Sequence, residues 1–289
     1  MVLSRDEIIN RCDKAGPQDL VSHIPYGNSV LKLSDSVAVK FGSGVTKYEA
    51  SSQEKAYQIL DHCIVRVPKV YDFFEDGRGR GYLVMQFMAG ETQETFTDPS
   101  QLDALSQVLD HFATRKSEKP GPLGGGPSSA LLFGESDPPT FETIEDIERW
   151  FNIRHLVTGA TLSLQGSELV LCHLDLFPRN ILWLSDQPPC VLDWASAGYF
   201  PRIFEACSQL IRTRLEQSGG VLQIPIPECD KGRVSLILKA WGNAQRFHFT
   251  RAEGRYVKED TSALLAEYPG PLPSPPHAPI LYTPPDLPS

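Results

Sequence analysis

From Cys172 to Leu182 the chain reads Cys-His-Leu-Asp-Leu-Phe-Pro-Arg-Asn-Ile-Leu, with Asp175 five residues before Asn180 and Asp193 thirteen residues after it. An Asp-x-x-x-x-Asn spacing suits phosphoryl transfer: a carboxylate accepts the proton of an attacking hydroxyl while an amide oxygen on the same loop holds a metal ion. Asp193 closes the apolar run Cys190-Val-Leu192 and would be the hard anionic oxygen that keeps magnesium on nucleotide phosphates. Singly, each of these residues is an ordinary cap or turn former. Together they point to chemistry. His173-x-Asp175 also matches a pair of hydrolase metal ligands, but the remaining histidines form no second cluster. His173 is therefore expected to shape the loop around Asp175, and Cys172 to be a small buried hydrophobe.

These groups need elements to hold them. Ser4-x-x-Glu7 is a capping-box pattern and starts a short helix that ends near Gly16-Pro17. Two β-rich runs, Ser29 to Leu33 and Ser36 to Phe41, predict a hairpin, and Thr46 to Leu60 turns to helical spacing. Strands are expected at Val65 to Tyr71 and Gly81 to Phe87, around the Asp76-Gly77-Arg78-Gly79 turn. Asp98-Pro99 then caps a helix with Leu102, Leu105, Leu109 and Phe112 on one face. Lys119 to Pro139 reads as a long loop, and Phe141 to Val157 as a helix. Short strands follow at Leu169 to Cys172, Ile181 to Leu184 and Cys190 to Leu192, with helices near Ile203 to Gln217 and Arg233 to Phe247. The order predicts an α+β fold: a small antiparallel-sheet lobe over residues 1–88, a larger mainly helical lobe over 89–268, and a cleft between them.

The run from His173 to Leu182, followed by Leu192-Asp193-Trp194-x-x-Ala197-Gly198-Tyr199-x-Pro201-x-x-x-Glu205, resembles the aminoglycoside phosphotransferase and choline kinase-like family, in particular its fungal branch. The resemblance spans roughly Asn28 to Glu205. It implies a protein-kinase-like two-lobed fold, ATP with magnesium, and phosphorylation of a hydroxyl on a small molecule. On it, Asp175 falls on the catalytic base, and Asn180 and Asp193 fall on the metal ligands. Lys40, ending the second strand of the hairpin, would pair the α- and β-phosphates if a helix glutamate orients it. Glu49 matches the family's partner, with Glu54 as a rival. Gln86 to Met88 resemble the segment that crosses between the lobes and bonds adenine through its backbone, making Gln86 and Met88 the nucleotide candidates. The phosphate-covering loop is sparse, with only Gly27-Asn28-Ser29 before the first hairpin strand, and Gly42-x-Gly44 reads as a turn. Where the family often carries Asp-Trp-Glu, this chain has Asp193-Trp194-Ala195.

Hydrophobic residues make up 41% of the 289 and charged ones 22%, which is globular composition. A net charge of −9 opposes nucleic-acid binding, which needs phosphate-neutralising cations. The start is polar where a signal peptide needs an apolar stretch, and no window approaches the ~20 apolar residues of a membrane span. A soluble cytoplasmic protein with no membrane partner is expected, its six scattered cysteines reduced. Nine of the 24 prolines lie between Pro269 and Ser289, a stretch read as a surface tail. The acidic run Glu142, Glu145, Asp146 and Glu148 reads as a solvated helix start, or else as an attractor for a cationic amine; Trp194, Tyr199, Phe200 and Trp241 read mostly as core, or else as aromatic walls for that cation. The leading expectation is an ATP-dependent small-molecule kinase; the alternative is a catalytically silent kinase-like binding module.

Overall fold

The computed structural model describes residues 3–23, 28–96, 98–134, 138–155, 159–216, 222 and 224–245, and the backbone of 249–252 and 255–258. Gly27, Phe247 and the proline-rich stretch lie outside the described residues. Helix α1 (Arg5–Lys14) starts on the expected capping box, in which Ser4 and Glu7 each satisfy the other's backbone N–H. Strands β1 (Leu20–His23), β2 (Ser29–Ser34) and β3 (Val37–Gly42) follow, then helix α2 (Lys47–Ile59), β4 (Val70–Glu75) and β5 (Gly81–Gln86). The five strands form one antiparallel sheet in the order β1-β2-β3-β5-β4. One face packs Leu31, Val39, Phe74, Tyr82 and Val84 against Ile8 and Cys12 of α1. The other packs Leu83 and Met85 against Val45 and Ala50 at the start of α2.

The second lobe begins with α3 (Pro99–Ala113), capped by Asp98, and continues through β6 (Lys116–Ser117), β7 (Gly121–Pro122) and α4 (Ile144–Ile153). Next come β8 (Leu169–Cys172), β9 (Ile181–Leu182), β10 (Cys190–Val191), β11 (Gly198–Pro201), α5 (Ile203–Glu216) and α6 (Lys231–Ala244), with β12 (Phe249–Ala252) and β13 (Arg255–Lys258) closing the order. A short sheet in the order β6-β8-β11-β7 backs the loop that carries Asp175, and β9 and β10 form the hairpin between Asn180 and Asp193. The largest core cluster gathers Phe133, Trp150, Phe151, Phe200, Phe204 and Ile237 from this lobe.

A second cluster crosses between the lobes, joining Ala56, Leu60, Val65 and Val67 to Phe96, Leu105, Phe112, Ile181, Val191 and Trp194. It explains the main departure from the sequence reading. Val65 to Tyr71 is not one strand: Val65 and Val67 are buried in the shared core, and the Arg66 backbone pairs with Pro189 and Val191 beside β10. Pro68 has no N–H to give a ladder, so the sheet strand starts only at Val70. The expected long loop likewise contains β7 and a 3-10 turn at Leu131–Phe133. Helix α4 starts at Ile144 rather than Phe141, because Thr143 accepts the Asp146 N–H and is its cap.

Candidate active site

Lys40 stands at the centre of β3, paired with Val30 on one side and Leu83 on the other, so its side chain leaves the sheet at a fixed place. Helix α2 follows after the turn Gly42–Val45, in which Gly44 N–H donates to Asn28 Oδ1 at 3.2 Å and Val45 N–H to Gly42 O at 3.3 Å. Thr46 caps α2 by accepting the Glu49 N–H at 3.2 Å. Glu49, at the third helical position, is where a capping-box glutamate would fold back to the cap. Instead it turns inward, and Lys40 Nζ donates to its Oε1 at 2.5 Å. Glu49 is 2% exposed while Glu54 lies on the solvent side of the same helix, so the partner of Lys40 is Glu49.

The same ammonium reaches Asp193 Oδ1 at 3.1 Å, across from the first lobe to the second. Burial disfavours the charged lysine, yet the Asp193 and Glu49 carboxylates outweigh it and hold Lys40 above its ordinary value. Burial pushes Glu49 up to about 6 against the pull of Lys40. Asp193 moves the opposite way: burial opposes its charge, but Lys40 and then His173 keep it below the usual carboxylate range. Its backbone is left-handed, φ 59°, a conformation costly for a residue with a Cβ and most tolerated by Asp and Asn. Leu174, next to Asp175, is left-handed too at φ 61°. Of the three non-glycine residues with positive φ among those described, two flank this cluster and the third is Asp186, in the β9–β10 turn. Strain concentrated where charged groups converge is a mark of a functional site.

Asp175 lies on the loop after β8. Asn180 Nδ2 donates to its Oδ2 and to its backbone carbonyl, both at 2.8 Å. With that nitrogen committed to two acceptors, Asn180 can offer a cation only its amide oxygen. His173 is fully buried; its Nδ1 accepts the Asp175 N–H at 3.3 Å, which puts the ring proton on Nε2, donated to Leu192 O at 3.0 Å. Burial holds its pKa down, so the ring is neutral, and with both ring nitrogens engaged it is a brace rather than a metal ligand. Cys172 is buried, its thiol pushed well above the ordinary value by burial, which rules it out as a thiolate nucleophile.

The hard oxygens of Asn180 and Asp193 suit magnesium, which keeps several waters and is held by one or two carboxylates plus substrate phosphates. No group of three or more His, Cys, Asp or Glu with metal-binding placement occurs among the described residues, so these positions do not form a closed protein-only cage. At the lobe junction the N–H of Gln86 donates to Lys69 O at 2.8 Å and that of Phe87 to Ser36 O at 3.0 Å.

Three contributions had no role assigned from sequence, although Arg179 and Glu205 lie within the motifs themselves. Arg179 and Arg212 each bring Nη2 to 2.9 Å from Asp175 Oδ1. One face of α5 grips the Asp175 loop at three heights: Glu205 accepts the N–H groups of His173 and Leu174 at 2.6 and 3.0 Å, Gln209 Nε2 donates to Leu176 O at 2.8 Å, and Arg212 reaches Asp175. Burial pushes Glu205 up to about 7, against the pull of the two N–H groups it accepts. The i, i+4, i+7 spacing of Glu205, Gln209 and Arg212 on one face of α5 was the available signal. Third, the Gly124-Gly125-Gly126 loop locks the lobes together. Gly124 N–H donates to Ser52 Oγ of α2 at 2.9 Å, and the neighbouring Leu123 N–H donates to Ala197 O of the second lobe at 2.8 Å.

Two alternatives fall away, leaving a helix start and core aromatics. The acidic run is spent on structure: Asp146 accepts the N–H groups of Glu142 and Thr143, Glu148 accepts that of Leu164, and Glu142 meets Lys119. The aromatic candidates are not cation walls either, since Trp194 and Phe200 are fully buried and Tyr199 and Trp241 pack partly buried against the cores.

A five-stranded sheet lobe facing a helical lobe across a Lys–Glu–Asp contact defines a kinase-like phosphotransferase architecture. The model of the phosphotransferase enzyme family (APH) matches residues 26–223, and the chain belongs to that family. Among solved structures, a thermostable mutant of aminoglycoside phosphotransferase APH(4)-Ia, in ternary complex with AMP-PNP and hygromycin B, is 14% identical, with 84% of this chain and 90% of that chain covered and a TM-score of 0.50. The GDP complex of an aminoglycoside 2′-phosphotransferase-IIIa mutant is 15% identical, covering 82% of this chain and 86% of that one at a TM-score of 0.46. The first likeness is one of fold, the protein-kinase-like two-lobed fold. No curated protein matches the chain. No helix among the described residues is long and apolar enough to cross a membrane.

Proposed function

We propose that this phosphotransferase moves the γ-phosphoryl group of ATP to a hydroxyl of a small molecule. The observation that carries the reading is Lys40: from the sheet lobe its ammonium holds Asp193 of the other lobe at 3.1 Å while buried Glu49 backs it. In the reaction the substrate oxygen forms a bond to the γ-phosphorus, the bond from that phosphorus to the β,γ-bridging oxygen breaks, ADP leaves with the electron pair, and Asp175 takes the hydroxyl proton. Lys40 neutralises phosphate charge. Asn180 Oδ1 and the Asp193 carboxylate would hold magnesium, which when bound offsets the charge of the phosphates. Because the Gln86 and Phe87 N–H groups are committed, an adenine contact falls to the Gln86 carbonyl and to Met88. Catalysis of this kind rests on positioning and fixed charge, and the grip of α5 on the Asp175 loop supplies the positioning.

A second reading, a nucleotide-binding module without turnover, draws on the engagement of both Asp175 oxygens by Arg179, Arg212 and Asn180. ADP release from ATP and magnesium, measured over a panel of hydroxylated metabolites, separates the two. Substrate-dependent ADP release that Asp175→Asn abolishes supports the kinase. Stabilisation by ATP with no turnover on any substrate supports the module.

A further inference from the structure

Beside Asp175 lies a cavity of about 340 Å³, lined by Ser129, Leu131, Leu174, Asp175, Ser196 and Arg212 among others. That volume suits a metabolite rather than a large polycyclic ligand. Among its described lining residues the charged ones are Asp175 and Arg212. The wall is stiff: Ser129 Oγ donates to Ala195 O at 3.2 Å and Ser196 Oγ to Ser129 O at 3.3 Å. Arg212 is held as well, its guanidinium 2.9 Å from Asp175 Oδ1 and 5.4 Å from the centre of the buried Phe177 ring. Arg179 lies 5.2 Å from the same ring on its own approach to Asp175.

Any substrate whose hydroxyl meets Asp175 must therefore lie against a guanidinium. An ammonium there is repelled, whereas a carboxylate or phosphate is matched by the planar fork of donors. Among the described residues the other carboxylates that would favour an amine are elsewhere: position 195 is alanine, and Asp146 and Glu148 of α4 accept backbone N–H groups.

Resting on the phosphotransferase reading above, we infer that the acceptor is a small hydroxy acid, a molecule carrying a free hydroxyl together with a carboxylate or phosphate that Arg212 binds. As the acid group takes up Arg212, Asp175 Oδ1 loses one of its two guanidinium donors and becomes a better acceptor for the hydroxyl proton. The bonds made and broken at phosphorus are those already given, and the acid group is unchanged by the reaction.

Matched probes test this: glycerate and glycerol 3-phosphate as the two kinds of acid, glycerol as the neutral form and serinol as the amine, with gluconate, glucose and glucosamine as a larger set. With ATP and magnesium, the acids are expected to show kcat/KM about tenfold or more above their neutral counterparts, with the amines poorest. The ratio of glycerate to glycerol 3-phosphate tells carboxylate from phosphate. Arg212→Gln should raise KM for the acids about tenfold more than for the neutral probes, whose kcat also changes because Arg212 contacts Asp175, while Arg212→Lys retains part of the preference. Amines that match or beat the acids, or an acid preference that survives Arg212→Gln, would overturn the inference. Thermal shifts with each probe, run with and without ADP and magnesium, decide the case in which no probe is phosphorylated. Stabilisation by acids that Arg212→Gln removes upholds the inference, and no acid-specific shift overturns it. A parent protein that ATP and magnesium do not stabilise contradicts the phosphotransferase reading instead, and the nucleotide-free shifts still judge the acid pocket.

Discussion

Gly124 sits where the second lobe touches the back of α2, and replacing it with alanine tests whether that touch sets the position of Glu49. A Cβ at this glycine would lie 2.1 Å from Tyr48 O and 2.6 Å from both Ser52 N and Ser52 Oγ. Two of these are backbone atoms of a helix, which cannot rotate aside as a side chain would. The backbone of Gly124 is not left-handed, so the cost is one of contact alone. Overpacking of this kind costs ~1–3 kcal/mol, and the hydrogen bond from Gly124 N–H to Ser52 Oγ adds ~1 kcal/mol when it is broken. The total is about 2–4 kcal/mol, and at ~2–4 °C per kcal/mol for a chain of this size Gly124→Ala should lower Tm by about 4–16 °C. Because α2 carries Glu49, ATP affinity should fall with it, by about tenfold as measured by calorimetric titration. Two controls bracket the effect. Gly77→Ala adds a Cβ with nothing within 4 Å and should be nearly silent, and Ser52→Ala removes the bond without the clash and should cost only ~1 kcal/mol. If Gly124→Ala melts within a degree of the parent and binds ATP equally well, the lock between the lobes does not exist.

Other consequences are as direct. Glu205 keeps its proton to about pH 7 in the folded state, against 4.5 as its ordinary value. Its contribution to stability is therefore whole below about pH 4.5 and is lost as pH rises past 7, a span worth about 3 kcal/mol. Glu205→Gln does not titrate, so in urea unfolding the stability of the parent relative to the variant should decline from pH 5 to pH 8; a constant difference would contradict the assignment. Glu49→Gln should weaken ATP binding about tenfold by leaving the Lys40 ammonium with one carboxylate fewer, while Glu54→Gln on the exposed side of α2 should change nothing. Equal titration curves for these two variants would remove Glu49 from the site.

How much of this was legible beforehand follows from distance along the chain. Asp175, Asn180 and Asp193 are joined by one loop and one hairpin, so their spacing already constrained their meeting. Lys40 and Glu49 lie in one strand and at the start of the next helix, nine positions apart, and only the inward turn of the glutamate had to be seen in three dimensions. Arg212 is 37 positions from Asp175, and the loop at Gly124 is 72 from Ser52; no local pattern joins such pairs. The two-residue strands β6 and β7 are too short to show a period, whereas β9 and β10 were legible as short apolar runs. Val65 to Tyr71 misled because β-branched residues fit a buried extended chain as well as a sheet, and burial between lobes leaves the same apolar signature.

The central claim is that Asp193 and Lys40, from opposite lobes, hold one nucleotide with its metal. Calorimetric titration of ATP and magnesium into the parent and into Asp193→Ala, both checked for an intact fold by melting, puts that claim to the sharpest test. The account predicts that the variant loses at least about tenfold in affinity and that the remaining binding no longer depends on magnesium. Binding by Asp193→Ala as tight and as magnesium-dependent as that of the parent would contradict it.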